Sequence, residues 1–442
     1  MVYPRLLVFE VENFYIDNGP TSNTIRSFLK NWPQESLRLI CCKDFNAPKR
    51  GFISKNVYQV NHEDIKFVSK FVSGIRPVKS TITFNYDNTI KTTSLKSKIK
   101  GEFKESFKTI YSMLPYEINK DLISFIETFK PEVIYACVTC YRSLRFVEQI
   151  SRKYNLPIIP HFMDDWLNVY LSRSCFISPL FNSRFKRTFN YIMRKSPFGL
   201  CISDLMSQVY KERYGKEFYS LMNSVELYTG SETTVSKKTI EFLYAGSLYL
   251  NRYKLLLNFC ETASKIGDAK VKLKICAPTQ HWTELKALFL KYDFVEYRGF
   301  VTPEELKEHT SSSDILVFVE SFDSTILEFT KLSLSTRIPE YLSSGKPILA
   351  IGPYEQGSIQ YLKLNNAAFV ATSLDEIRTE IKRIIKGDDT VNIQAHAKHL
   401  FLKNHLSINQ EKKFRRLAEK AMGLSSSFSI VATVARGESS LA

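Results

Sequence analysis

Apolar runs of strand length alternate with longer segments of helical periodicity along nearly the whole chain, the pattern of an α/β protein. In the first half the runs fall at 5–13, 37–42, 57–60, 133–139, 157–163 and 199–203. In the second half they fall at 240–248, 271–278, 295–300, 314–319, 347–352 and 367–372. They are continuous rather than alternating, which predicts parallel strands covered by helices on both faces. Helices are predicted near 252–266, 281–291, 303–311 and 336–344, with a long polar loop before the last. The expected fold class is α/β, with two Rossmann-like, doubly wound parallel-sheet domains facing each other across a cleft. The chain turns polar and rich in Ser, Thr and Gly at 222–238, so the division is expected there. The N-terminal domain then spans 1–222 and the C-terminal one 223–388. Charged amphipathic helices occupy 389–422, with a packing surface on the N-terminal domain as one option, and 423–442 reads as a loose tail.

Composition agrees with two folded domains. A chain of 442 residues is long for one core, and 44% apolar with 24% charged residues describes a globular protein. No uncharged apolar run approaches the roughly 18–20 residues of a membrane span. The start MVYPRLLVFEVENF has neither a basic n-region nor an unbroken apolar h-region, so a cytoplasmic protein is expected. Cys41, Cys42, Cys137, Cys201 and Cys276 sit in apolar runs and read as reduced core thiols. Cys137 and Cys140 make a C-x-x-C without a second pair or nearby His, so no metal site is expected.

The net charge of +16 asks for an acidic partner: nucleic acid, an anionic membrane surface or a phosphorylated substrate. One basic stretch holds Lys66, Lys70, Arg76, Lys79, Lys91, Lys96, Lys98, Lys100, Lys104 and Lys108. A second interleaves Arg184, Lys186, Arg187, Arg194 and Lys195 with Phe181, Phe185, Phe189 and Ile192 at helical spacing. Such a helix suits the interface of an anionic bilayer, or equally packs its apolar face on its own domain. No nucleic-acid module is recognisable, and no nucleic-acid partner is expected.

Four constellations can carry chemistry. In 314–353 a strand, a loop, a helix, a Gly turn and a strand follow one another. Ser335 or Thr336 can cap the helix, Pro339 stands in its first turn and Gly345 just past its end. Its free amides, flanked by Lys331 and Arg337, offer an anion site, with Glu340 one turn in to receive a ribose diol. In YAGSLYLNRYK, Gly246 and Ser247 end a strand, and Arg252 with Lys254 can neutralise a departing pyrophosphate in place of a metal ion. Asn18-Gly19-Pro20 turns the chain after strand one, where Thr21 to Asn23 can cap a helix; it is no G-x-G-x-x-G, so dinucleotide binding gains little. In PIIPHFMDDW, His161, Asp164 and Asp165 leave a strand end. His161 can bond a sugar hydroxyl or phosphate, and the two aspartates an acceptor hydroxyl. Each feature has an ordinary structural reading as a cap, a core histidine or a solvated charge.

Together these residues resemble the GT-B retaining glycosyltransferases of the family-4 type, including bacterial enzymes that build capsule, exopolysaccharide and lipopolysaccharide chains. The resemblance rests on HFMDDW, LCISDLMSQVYKERYG, YAGSLYLNRYK and VESFD followed by STRIPEYLSSGKPILAIGP. It implies that Glu340 matches the second glutamate of the family's E-x7-E motif, which holds the donor ribose. It implies that Arg252 or Lys254 matches the lysine that grips the donor diphosphate, and His161 the histidine near the reacting sugar. The Gly19 turn would match the glycine loop over the donor. Two positions depart from the pattern: Leu332 lies eight before Glu340, with Glu320 much further back, and Ser247 stands where the family has its first basic residue. Lys331 and Arg337 are placed to compensate.

The resemblance implies transfer of a sugar from a nucleotide-diphosphate donor, of UDP or GDP type, to a glycan or lipid-linked acceptor with retention, in surface polysaccharide synthesis, with no cofactor. His161 and Asp164 are the expected catalytic pair, and the basic N-terminal half would hold the enzyme peripherally at the inner face of the cytoplasmic membrane. The alternatives are a sugar-nucleotide epimerase on the same fold and a basic nucleic-acid- or membrane-binding protein without catalysis. A nicotinamide-dependent dehydrogenase lacks its glycine fingerprint.

Overall fold

The computed structural model describes residues 3–10, 15, 19–41, 51–60, 110, 113–137, 139–167, 178–227, 239–266 and 270–423. The first unit opens with β1 (Leu6–Glu10), α1 (Pro20–Leu29), β2 (Leu37–Cys41), β3 (Gly51–Ser54) and β4 (Val57–Gln59). It continues with α2 (Lys120–Phe129), β5 (Val133–Cys137), α3 (Tyr141–Tyr154) and β6 (Ile158–Phe162). It closes with α4 (Ser178–Lys195), β7 (Gly199–Cys201), α5 (Asp204–Tyr214) and β8 (Phe218–Ser220). Its eight-stranded sheet runs β3-β4-β2-β1-β5-β6-β7-β8, parallel throughout except for the β3–β4 pair.

The second unit begins β9 (Thr239–Ala245), α6 (Arg252–Ser264), β10 (Lys270–Cys276), α7 (Thr279–Phe289), β11 (Val295–Gly299) and α8 (Pro303–Ser312). There follow β12 (Ile315–Val319), α9 (Ser324–Thr330), α10 (Arg337–Ser343), β13 (Ile348–Ile351), α11 (Gly357–Leu364), β14 (Phe369–Ala371) and α12 (Glu376–Lys386). The six-stranded sheet, β11-β10-β9-β12-β13-β14, is all parallel. Last come α13 (Thr390–Asn404) and α14 (Ser407–Ala421).

The strands form because their apolar runs are covered on both sides. In β1, Leu7 and Phe9 enter the core containing Phe146 and Ile150, whereas Leu6 and Val8 enter the opposite one with Phe28 and Phe414. Burying one such large apolar side chain contributes about 1.5–3 kcal/mol. Helix starts follow side-chain caps. Ser203 Oγ accepts from Met206 N at 3.0 Å to begin α5, and Thr302 and Glu305 form a reciprocal capping box on α8.

The chain crosses between units twice. The segment 221–227 leads out, and 404–407 leads back, joined by a parallel bridge between Val225 and Leu406. The return places α14 on α1 and β6, where the Phe414 ring sits 4.8 Å from Phe28 and 5.5 Å from Trp32. By contrast α13 stays on α10 of the second unit.

The structure departs from the sequence expectations in a few elements. The predicted polar loop before α10 contains the helix α9, begun by Asp323 Oδ1 accepting from Thr325 N at 3.0 Å. Helix α1 starts at Pro20 with Gly19 as its cap, not at Thr21 to Asn23. The apolar face of α4 is not free for a bilayer: Phe181, Phe185, Phe189 and Ile192 are all buried against their own domain, while Arg184, Lys186, Arg187 and Arg194 face outward. Among the described residues no helix is long and apolar enough to cross a membrane. The lysine-rich stretch from Lys66 to Lys108, residues 228–238 of the expected junction and 424–442 of the tail lie outside the described residues. Cys41, Cys137, Cys201 and Cys276 are buried and outside any disulfide, Cys140 Sγ lies 3.1 Å from Ser143 Oγ, and Cys42 lies outside the described residues. No group of metal-ligating side chains occurs among the described residues.

Candidate active site

Strand order reverses between β1 and β5 in the first sheet and between β9 and β12 in the second. Doubly wound sheets bind ligands beyond the carboxyl ends of strands at such a reversal. In the second sheet these ends carry Gly246 and Ser247 after β9, and Glu320 after β12. Ala245 N donates to the Tyr341 hydroxyl at 3.2 Å, and the Tyr244 hydroxyl to Ser247 O at 2.6 Å, so the strand end is held from both sides. The chain then turns sharply. Leu250 and Asn251, neither a glycine, adopt left-handed φ angles of 58° and 57°, each at a cost of about 1 kcal/mol. Asn251 Nδ2 donates to Asp323 Oδ2 at 3.2 Å and ties this turn to the start of α9.

That turn delivers Arg252 to the first position of α6. Its Nη2 lies 2.9 Å from Glu320 Oε1 and 3.1 Å from Oε2. Glu320 is buried and Arg252 nearly so, with side-chain exposures of 3% and 21%. Burial works against the Arg252 charge, but the Glu320 carboxylate outweighs it and holds the guanidinium firmly protonated. Lys254 is exposed two residues on, close enough to help keep the Asp323 carboxyl ionised. Lys331 is exposed at the end of α9.

Helix α10 corrects one expectation. Its first-turn amides are largely spoken for: Ser335 N donates to Ser358 Oγ at 3.0 Å, Arg337 N to Ser335 Oγ at 3.3 Å, and Ile338 N to Ser335 O at 3.1 Å. The helix is also short, seven residues, and Arg337 stands at its first position. Arg337 Nη1 and Glu340 Oε2 are 2.5 Å apart, both about one-third exposed. Gly345 ends the helix with φ 71°, a conformation that favours glycine.

The loop 331–336 faces the first domain directly. Ser333 Oγ donates to Asp164 Oδ1 at 2.6 Å, Ser203 Oγ to Leu332 O at 2.8 Å, and Asn223 Nδ2 to Thr336 O at 3.1 Å. Asp164 is half-buried, and burial raises its pKa above the usual carboxyl value despite the Ser333 hydrogen bond. Asp165, by contrast, is a structural tie, holding Arg213 at 2.9 Å and the Tyr210 hydroxyl at 2.8 Å.

His161 is not on the cleft wall. It is fully buried inside β6, its Nδ1 2.7 Å from the Tyr135 hydroxyl and its ring beside Phe28. Burial pushes its pKa down to about 3 against the pull of the Leu221 and Cys201 carbonyls. The ring therefore reaches no substrate here, contrary to the expected role. Gly19 is half-buried as the cap of α1. The structure thus gathers Gly246, Ser247, Arg252 and Glu320 at one switch point, with Ser335, Thr336, Arg337 and Glu340 on α10 and its approach, and sets Asp164 against that approach.

Sequence reading missed Glu10. It ends β1 at 2% exposure, and it adds, with Asp164, to the burial that raises the pKa of the Cys137 thiol. A lone carboxylate closing an apolar strand run was the available signal. Ser333, Ser358, Asn223 and His405 carried no local signal, because their partners lie far along the chain.

The comparisons with solved structures agree with this layout. An Anabaena protein, HepE, solved with UDP-glucose, superposes with TM-score 0.57 at 12% identity over 95% of this chain and 100% of its own. The lipopolysaccharide outer core galactosyltransferase WaaB gives 0.54 at 13% identity, covering 94% and 99%. The fold is GT-B. The N-terminal domain of Candida albicans trehalose-6-phosphate phosphatase also superposes, with TM-score 0.59 at 11% identity over 95% and 97%. At such identities the likeness is one of fold. No protein-family model and no curated protein sequence matches the chain.

Proposed function

We propose that the protein is a glycosyltransferase that moves a sugar from a nucleotide-diphosphate donor to a glycan or lipid-linked acceptor, with retention, in surface polysaccharide synthesis. The observation that carries this reading is the Arg252–Glu320 pair at the β9–β12 switch point, opposite Asp164 across the loop 331–336. The HepE neighbour, solved with UDP-glucose, supports a nucleotide sugar as donor.

In this reading the diphosphate replaces Glu320 as a partner of Arg252, and Lys254, Lys331 and Arg337 share the charge that grows on the leaving phosphate. No metal is needed for that role. Glu340 exchanges part of its contact with Arg337 for the ribose diol. Asp164 orients an acceptor hydroxyl. The bond from the anomeric carbon to the donor phosphate breaks, the acceptor oxygen bonds the same face of that carbon, and the hydroxyl proton passes to the departing phosphate. His161 has no direct part; its packing against Phe28 and Phe414's neighbour Tyr135 supports the floor of the first domain.

The outward cations of α4, Arg184, Lys186, Arg187 and Arg194, supply attraction to an anionic inner-leaflet surface by charge rather than by ring insertion. Salt-sensitive binding to anionic vesicles is expected; no binding at low salt removes this peripheral localisation. The central test is thermal stabilisation by UDP, GDP, ADP and CMP with their sugars. Selective stabilisation by one nucleoside diphosphate supports the reading, and no response to any of them overturns it. Product analysis with donor alone separates transfer from epimerisation, since an epimerase needs no acceptor.

A further inference from the structure

A closed ring of hydrogen bonds runs from the loop before α10, through α11 and both interdomain crossovers, and back to that loop. Ser335 N donates to Ser358 Oγ at 3.0 Å in the first turn of α11. One turn on, the Tyr361 hydroxyl lies 2.9 Å from His405 Nε2 and accepts from Asn404 Nδ2 at 3.0 Å. His405 Nδ1 lies 2.9 Å from Asn223 O, and Asn223 Nδ2 donates to Thr336 O at 3.1 Å, which closes the ring.

The direction of each bond is fixed by chemistry. A carbonyl can only accept, so His405 Nδ1 carries the proton that points at Asn223 O. Burial pushes the His405 pKa down to about 4, so the ring is neutral near pH 7. Its Nε2 is then an acceptor, and the Tyr361 hydroxyl donates to it. His405 and Ser358 are fully buried and Asn223 is 4% exposed, so water offers no substitute partner. The two crossovers are also joined next to the ring, by Val225 N donating to His405 O at 3.0 Å and Ser407 N to Val225 O at 3.1 Å. A change of domain angle must act on these two segments, and the ring fixes them to the loop 331–336.

We infer that His405 is a positioning residue for the transfer: through Tyr361 and Asn223 it holds the loop 331–336 in register with both crossovers, so that nucleotide loading and cleft closure are coupled. The inference rests on the donor-site reading above. It requires no contact between His405 and substrate.

The test compares the full-length parent with Tyr361→Phe and His405→Phe. Three readouts are needed: affinity for UDP and GDP by calorimetry, contraction on adding the bound nucleotide by small-angle scattering, and steady-state kinetics. Coupling of the usual size predicts that kcat falls about 10-fold or more, while nucleotide affinity and donor KM change by less than about 3-fold. The nucleotide-induced contraction should shrink in parallel. Tyr361→Phe removes a single oxygen and carries the test alone if His405→Phe does not fold. Contraction and kcat equal to the parent's in folded Tyr361→Phe overturn the inference, as does a parent that binds nucleotide without contracting. A parent that binds neither nucleotide instead sinks the donor-site reading itself.

Discussion

Arg252 and Glu320 meet across the switch point of the second sheet through two hydrogen bonds, 2.9 and 3.1 Å long, from one guanidinium nitrogen. The carboxylate is buried and the guanidinium one-fifth exposed, so the pair is not an ordinary surface bridge. Removing the cation and removing the carboxylate should therefore differ. Arg252→Ala combined with Lys254→Ala is expected to lower kcat/KM by at least about 10²–10³-fold, the usual scale for losing a group that stabilises the leaving charge. Glu320→Gln leaves Arg252 half satisfied and lowers the melting temperature of the nucleotide-free protein. A bound diphosphate should restore most of that loss. Near-normal transfer by the double variant, or no recovery in Glu320→Gln, removes the pair from the donor site.

Gly357 tests the loop 331–336 from the other side. A Cβ built there would lie 2.7 Å from Ser333 O and 3.0 Å from Lys331 O, both backbone atoms that cannot rotate away. Gly357→Ala must push α11 and the loop apart by several tenths of an ångström. Because the loop leads straight into α10, which carries Arg337 and Glu340, the expected effect is a rise in donor KM of about 10-fold, with the sheet core intact. Unchanged donor kinetics in a folded Gly357→Ala protein would mean the loop does not shape the donor site.

Most of the fold was legible because burial on both faces leaves a mark in every parallel strand. LRLIC and VIYAC read as strands for the reason they fold as strands. Helix α9 was not legible, since Ser324–Thr330 is short and its start depends on Asp323, whose other partner is Asn251. His161 misled for a related reason. A histidine at a strand end looks the same whether it faces a cleft or a core, and only the distant residues Phe28 and Tyr135 decide which. Arg252 was visible as a cation after a strand-end glycine, but its partner was not, because Glu320 lies 68 residues away. Local chemistry shows in sequence; pairing between residues far apart along the chain does not.

The two buried histidines set an acid limit on stability. Burial lowers His161 to about 3 and His405 to about 4, from an ordinary 6.5. The unfolded chain thus binds protons that the folded state refuses. Stability is full above pH 6.5 and is lost as the pH falls toward 4, by about 1.4 kcal/mol per pH unit for each histidine. His161→Gln keeps an acceptor for Tyr135 and removes one of the two titrations. Urea midpoints measured from pH 7 to 4 should fall less steeply in the variant than in the parent. An identical slope would show that His161 is not a neutral, buried group.

Asp164 carries the opposite sign. Its folded pKa is raised above the ordinary 3.8, chiefly by burial, so the stability linked to this carboxyl is present below that value and lost as pH rises through the folded pKa. Ionisation of this carboxyl is then a net cost to the fold, as the proposed role at the cleft requires. Asp164→Asn keeps an oxygen to accept from Ser333 Oγ and removes the charge. The variant should melt at or above the parent's temperature at pH 7, with the difference vanishing in acid. It should also lose roughly 10–100-fold in kcat, with nucleotide affinity little changed, because only the orientation of the acceptor hydroxyl suffers. A variant that is both more stable and fully active would leave Asp164 as a domain contact and nothing more.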